Sequence, residues 1–165
     1  SRGLGDVYKR QGSTFWDNRV INYHKIGEYD KKSASIMLDA NVRCGERIKN
    51  LFSVEEIYSD TLQIIRWFPG MEQPPHADDM SNTDMIGFEH RSFGSIIYLN
   101  DNYTGGHTYY PNFDFEIIPK SGALAIHPGD PEHLHGVTKI ENGMRYTIAS
   151  FWTQEKEKSH GWPVY

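Results

Sequence analysis

The chain has 165 residues, a length that suits one domain with its own core and no covalent staples. Its single cysteine, Cys44, excludes an internal disulfide and a cysteine-rich zinc site, and a free thiol suits a reducing, cytoplasmic compartment. A net charge of −5, from 17 basic and 22 acidic residues, argues against a nucleic-acid partner, and no apolar run reaches the ~20 residues of a membrane span.

Ser1 to Gln11 shows neither helical nor strand periodicity. It is read as a non-native scar or a disordered segment, which leaves 12–165 as a single domain with its natural N-terminus missing. In 31–52, Ile36, Ala40, Cys44, Ile48 and Phe52 recur every fourth residue, and Met37, Leu38 and Leu51 widen the stripe. That period predicts a helix lying on a sheet, bent or divided at Gly45. Beyond Ser53 the pattern turns to short strands, at 61–68, 94–99, 107–110, 113–118 and 123–127. A hairpin is predicted from 134–140 and 144–152, turning at Asn142-Gly143. Aromatics at 13%, with 15 glycines and 8 prolines, fit this run of short strands and turns. The pattern predicts a β sandwich or barrel, of which a jelly roll is one form. The connection 79–91, which carries Met80, Met85, Phe88 and His90, is long and is read either as a lid over an extended chain or as a disordered insertion.

Three anchors carry chemistry. In Pro75-His76-Ala77-Asp78, an extended backbone sends His76 and Asp78 to one face, where an imidazole and a carboxylate suit a divalent transition metal. In Glu132-His133-Leu134-His135-Gly136-Val137, a further histidine would complete a set of two histidines and one carboxylate that leaves open positions on the ion. Spacing alone does not choose among His135, His133 and His127. In Gly143-Met144-Arg145-Tyr146-Thr147, Arg145 and Thr147 share a strand face, and a buried arginine there calls for an anion.

Taken in order, these anchors resemble the prolyl 4-hydroxylase-like branch of the iron(II)/2-oxoglutarate-dependent dioxygenase superfamily. The likeness runs from about Thr61 to Thr153. It includes Leu62-Gln63-Ile64-Ile65-Arg66-Trp67 ahead of the first metal motif, and Arg91 with Ile97-Tyr98-Leu99-Asn100-Asp101 and Gly105-Gly106-His107-Thr108 in a middle block. Pro119-Lys120-Ser121-Gly122 resembles the turn that follows. Trp67 and Gln73 stand where tyrosines are common, His107 where an acidic residue is usual, and Arg145 where many members carry lysine.

The resemblance implies a double-stranded β-helix (jelly roll, cupin-like) with helical support from the N-terminal part. It implies that His76, Asp78 and His135 bind Fe(II), and that Arg145 holds 2-oxoglutarate with help from Tyr98 and Thr147. The implied reaction uses O2, releases succinate and CO2, and hydroxylates a peptide or small-molecule substrate, most plausibly a prolyl residue in a peptide, with ascorbate as a supporting reductant. Asp78 favours hydroxylation over halogenation, because the relatives that halogenate lack that carboxylate. Two rival readings are a cupin-like metalloenzyme that does not use 2-oxoglutarate and a non-catalytic β-sandwich binding module. Arg145 argues against the first, and specific iron binding would argue against the second.

Overall fold

The computed structural model describes residues 15–79 and 90–159. Segment 1–11 and most of the connection 79–91 lie outside them. The strands are β1 (Val20–Asn22), β2 (Tyr58–Trp67), β3 (Gln73–His76), β4 (Phe93–Tyr98), β5 (Thr104–Gly105), β6 (Thr108–Tyr110), β7 (Phe115–Ile117), β8 (Leu124–Pro128), β9 (His135–Val137), β10 (Ile140–Asn142) and β11 (Arg145–Thr153). All their pairings are antiparallel. A five-stranded sheet runs β1-β2-β11-β4-β8, a four-stranded sheet runs β3-β9-β6-β7, and β10 pairs with β5. This is the jelly roll expected from the short, evenly spaced strands.

Two helices cover the outer face of the five-stranded sheet. Helix α1 (Tyr23–Tyr29) starts at Asn22, whose side chain accepts from the Lys25 N–H. Helix α2 (Lys31–Phe52) starts at Asp30, which accepts from the Lys32 N–H and the Ser33 hydroxyl. Each cap satisfies donors that the first turn leaves unpaired. Helix α2 is one unbroken helix. Gly45 lets the helix lie close against the sheet, since a Cβ there would sit 3.0 Å from the Trp152 ring.

The buried face of α2 differs from the stripe expected from sequence. It consists of Ala34, Met37, Asn41, Cys44, Gly45 and Ile48, whereas Ile36, Leu51 and Phe52 are exposed. A strict four-residue repeat drifts by about 40° per step around a helix of 3.6 residues per turn. Alternating steps of three and four stay over the sheet, and those are the residues buried.

Strand alternation divides the core. Leu62 of β2 and Ile148 of β11 face outward and pack with Ile26, Ala34 and Met37 of the helices. Phe93 and Trp152 do the same with Cys44, Ile48 and Ile57. Burial pushes the Cys44 thiol up to about 11, which keeps it unreactive. Ile65, Trp67 and Ala149 face inward and meet Val137 and Ile140 across the sandwich.

The hairpin expected around Asn142-Gly143 does not form. The turn is present, with Gly143 at φ 77, but its flanking strands belong to different sheets. β11 is already paired on both edges, to β2 and to β4, so β10 joins β5 instead. Segment 134–140 splits into β9 and β10, and 113–118 opens with a 3-10 turn (Pro111–Phe113) before β7.

The stripe assignment has a measurable consequence. Ile48→Ala should cost about 2–5 kcal/mol of stability, as a large-to-small change in a closed core. Ile36→Ala should stay within about 0.5 kcal/mol, as an exposed change. Urea unfolding of the two variants separates these values, and equal losses would contradict the assignment.

Candidate active site

β3 and β9 are neighbours, and their register makes His76 and His135 direct cross-strand partners. Their ring centroids lie 4.5 Å apart. Asp78 follows β3 by two residues and turns into the same space. Its Oδ1 is 4.0 Å from His76 Nε2 and 3.7 Å from His135 Nε2. Ligand atoms of these three residues all lie within 4.8 Å of one another. His76 Nδ1 is 3.1 Å from the Pro74 carbonyl, and His135 Nδ1 is 3.2 Å from the His133 carbonyl. A carbonyl only accepts, so each Nδ1 carries the proton and each Nε2 offers its lone pair to the shared space.

The structure also separates the three histidines that spacing left equivalent. His133 ends a 3-10 turn (Pro131–His133), where its Nδ1 bonds Asp130 Oδ1 at 2.8 Å near the surface. His127, on β8, is buried against Asp78 and the His135 ring, with Nδ1 3.8 Å from Oδ2, but it falls outside the group whose ligand atoms lie close together. Only His135 joins His76 and Asp78.

Burial lowers the titration of His76 and His127 and brings His135 down to about 4, so all three rings are neutral at pH 7. Burial pushes the Asp78 carboxyl up, but the His135, His127 and His76 rings, which gain protons in the acid range, together with the Arg91 guanidinium outweigh it and hold the group below its ordinary value. Two neutral imidazoles and an ionised carboxylate are the donor set that suits a divalent transition metal and leaves positions free for other ligands.

Arg145 opens β11 beneath Trp67, its register partner. It is 1% exposed, and among the described residues no carboxylate pairs with it. One terminal N–H reaches the Thr108 hydroxyl at 3.3 Å, and the guanidinium lies 5.3 Å from the ring centres of Trp67 and of Tyr98. Tyr98 bonds the same Thr108 hydroxyl at 2.7 Å, so it stands behind the arginine and does not line the cavity. Thr147 is buried beside Arg145 on the same strand face and does line it.

One cavity of about 460 Å³ joins the two ends. Four buried polar atoms on its walls have no hydrogen-bond partner among the described residues: Asp78 Oδ2, Arg145 Nε, Trp67 Nε1 and Gln63 Oε1. Native interiors rarely leave such atoms unsatisfied, and a row of them along a cavity fits a site completed by polar ligands. The carboxylate end suits a cation, and the guanidinium end suits a carboxylate.

Several wall residues escape a reading of motifs. Gln63 could have been found by counting twos along β2 from Trp67. Phe15 and Trp16 close the Trp67 end, with ring centroids 6.0 and 5.9 Å from Trp67, and no local pattern signals this. Arg91 reaches the wall from a buried ion pair with Asp60 (Nε to Oδ2, 2.9 Å) and lies 3.7 Å from the Phe151 ring centre.

Two expected outcomes follow from this geometry. Gly94 of β4 presses on the site, because a Cβ there would lie 2.2 Å from Asp78 Oδ2 and 2.5 Å from His127 Cε1. Gly94→Ala should therefore abolish tight binding of Mn(II), a redox-stable probe, while circular dichroism shows a folded domain; unchanged binding would contradict the packing. The pH dependence has a definite sign. Protons compete with a metal only where the imidazoles titrate, and the folded rings lie below the ordinary value of about 6.5. Mn(II) affinity should begin to fall only below the range in which ordinary histidines titrate, and the loss should extend to about pH 4, where His135 titrates. A decline that begins at pH 6.5 would contradict the lowered values.

Comparison with known proteins agrees with the geometry. The model of the 2OG-Fe(II) oxygenase superfamily matches residues 62–153, more than half of the chain. An inferred prolyl 4-hydroxylase of Acanthamoeba polyphaga mimivirus is 29% identical over 128 residues, covering 69% of this chain and 52% of that protein. The chain thus spans about half the length of this curated relative. The viral collagen prolyl hydroxylase of Paramecium Bursaria Chlorella virus-1, solved with 2OG, shares the fold at TM-score 0.58 and 20% identity, over 72% of this chain and 73% of that one. A Trichoplax adhaerens prolyl hydroxylase, solved with a hypoxia inducible factor peptide fragment, gives TM-score 0.51 and 24% identity, over 61% of this chain and 46% of that one. From residues 62–153 and the architecture that carries them, the chain belongs to the 2OG-Fe(II) oxygenase superfamily, with its similarity in the prolyl 4-hydroxylase-like branch.

Proposed function

We propose that the chain is an Fe(II)- and 2-oxoglutarate-dependent hydroxylase that acts on a prolyl residue within a peptide. The observation that carries this reading is one cavity with a buried carboxylate–imidazole cluster at one end and, at the other, a buried arginine that no carboxylate pairs among the described residues. His76, Asp78 and His135 would hold the ion, and Arg145 would hold the distal carboxylate of 2-oxoglutarate. When bound, the ion and co-substrate supply the oxidising power drawn from O2, with release of succinate and CO2.

The chain's own residues bind, orient and exclude water. The guanidinium of Arg145 presents parallel donors to a carboxylate, a match that lysine makes only as a point charge. Thr108 and Tyr98 fix the arginine from behind, so little ordering remains when the co-substrate arrives. Thr147 places a second hydroxyl on the same strand face. Phe15, Trp16 and Trp67 close that end against solvent, which strengthens the electrostatic contacts inside. The backbone-anchored Nδ1 protons of His76 and His135 keep both rings in one tautomer.

The peptidyl-proline assignment rests on the relatives: a mimivirus protein inferred to be a prolyl 4-hydroxylase, a viral collagen prolyl hydroxylase, and a prolyl hydroxylase solved with a peptide. The test is succinate formation with Fe(II), 2-oxoglutarate and ascorbate, followed by mass spectrometry of a proline-containing peptide library. A gain of one oxygen on proline is expected. Succinate formation with modification of a free amino acid or a nucleotide alone would overturn the substrate class, and no 2-oxoglutarate-dependent succinate would overturn the enzyme class. Arg145→Ala should raise the 2-oxoglutarate requirement by about 30- to 150-fold, the equivalent of about 2–3 kcal/mol for a charge-assisted contact. Titration of the anaerobic iron–2-oxoglutarate absorption band measures this, and an unchanged curve would remove Arg145 from the co-substrate site.

A further inference from the structure

The two oxygens of Asp78 face different neighbours. Oδ1 points at His76 Nε2 (4.0 Å) and His135 Nε2 (3.7 Å), the side on which an ion would sit. Oδ2 points away, is fully buried and has no hydrogen-bond partner among the described residues. His127 is a polar neighbour on that side, with its Nδ1 3.8 Å away. His127 is 4% exposed, and its ring centroid is 4.0 Å from that of His135. The β4 backbone at Gly94 closes the space on the other side, with no room for even a Cβ beside Asp78 and His127.

His127 Nδ1 is also 3.1 Å from the Pro128 carbonyl, which only accepts. The ring therefore carries its proton on Nδ1, and that proton faces two acceptors, the carbonyl and Asp78 Oδ2. The gap of 3.8 Å to Oδ2 closes to hydrogen-bond length with a movement of roughly 1 Å. His127 is not a member of the group whose ligand atoms lie within 4.8 Å of one another, so its place is behind the carboxylate and not on the ion.

We propose that His127 is a positioning residue for the metal centre: its Nδ1–H holds the outer oxygen of Asp78, so that Asp78 presents Oδ1 alone to the ion. This rests on the reading of His76, Asp78 and His135 as the metal ligands. A carboxylate free to turn would offer both oxygens and occupy a further position on the ion. One held by its outer oxygen keeps that position open. Groups that orient a metal ligand in this way typically change affinity by 10- to 100-fold when removed.

The test is Mn(II) binding to the full chain, followed by the loss of the free-ion electron paramagnetic resonance signal, which needs no turnover. His127→Phe fills the space without a donor and should weaken Mn(II) binding by about 10- to 100-fold. His127→Asn keeps an amide donor near the Nδ1 position and should stay within about threefold of the unsubstituted chain. His127→Leu gives the same reading as Phe if the Phe variant does not fold. Unchanged binding in the donor-less variants overturns this inference alone, as does an Asn variant no better than Phe, which would reduce His127 to packing. Absence of Mn(II) binding by the unsubstituted chain overturns the ligand assignment and this inference with it.

Discussion

Two buried charges of opposite sign, Asp78 at one end of a cavity and Arg145 at the other, set the terms for this protein. An ionised carboxylate and a guanidinium in an interior are each costly unless paired. Among the described residues they do not pair with each other, and their immediate contacts are three imidazoles at one end and a threonine hydroxyl and aromatic rings at the other, with the Arg91 and Arg19 guanidinium groups further out. A cation and a dicarboxylate, brought in together, would satisfy both ends, and the oxygenase chemistry of the superfamily uses such a pair.

The sheets exist, in effect, to hold those ends apart at a fixed spacing. β11 sits in the middle of the five-stranded sheet, hydrogen-bonded along both edges, and carries Arg145 at its first residue. The histidines proposed to hold the metal come from the opposing sheet, where β3 and β9 put His76 and His135 side by side. The two sets of residues meet only because the sheets pack face to face, and the helices on the outer face hold the larger sheet in place. Arg145 and His135 sit on strands laddered on both sides, β11 between β2 and β4 and β9 between β3 and β6, which suits a site whose groups must not rearrange.

The ion pair between Arg91 and Asp60 extends this framework. It ties the start of β2 to Arg91, two residues beyond segment 80–89, with the Arg91 guanidinium resting on the Phe151 ring. The site wall at that corner is therefore a charged contact in a closed setting, of the kind whose removal from one side costs several kcal/mol. Trp67 is held similarly at the other corner, with the Arg19 guanidinium 4.2 Å from its ring centre and Phe15 and Trp16 edge-on to it.

The sequence by itself determined what depends on neighbours along the chain. Alternation marked the strands, a helical period marked α2, and a two-residue step in an extended segment put His76 and Asp78 on one face. Arg145 and Thr147 share a face for the same reason. What needed the tertiary structure were the choices that local chemistry leaves equal. His127, His133 and His135 are the same residue type within nine positions, and only the pairing of β9 with β3 singles out His135. The Asn142-Gly143 turn favours a hairpin locally, but β11 gains more by lying between β2 and β4, where both its edges are satisfied. The α2 stripe follows the sheet beneath it and not the neatest repeat in the sequence. Long-range pairing overrides local preference because a buried strand must satisfy every N–H and C=O on both sides, and only the folded chain shows which strands are available to do so.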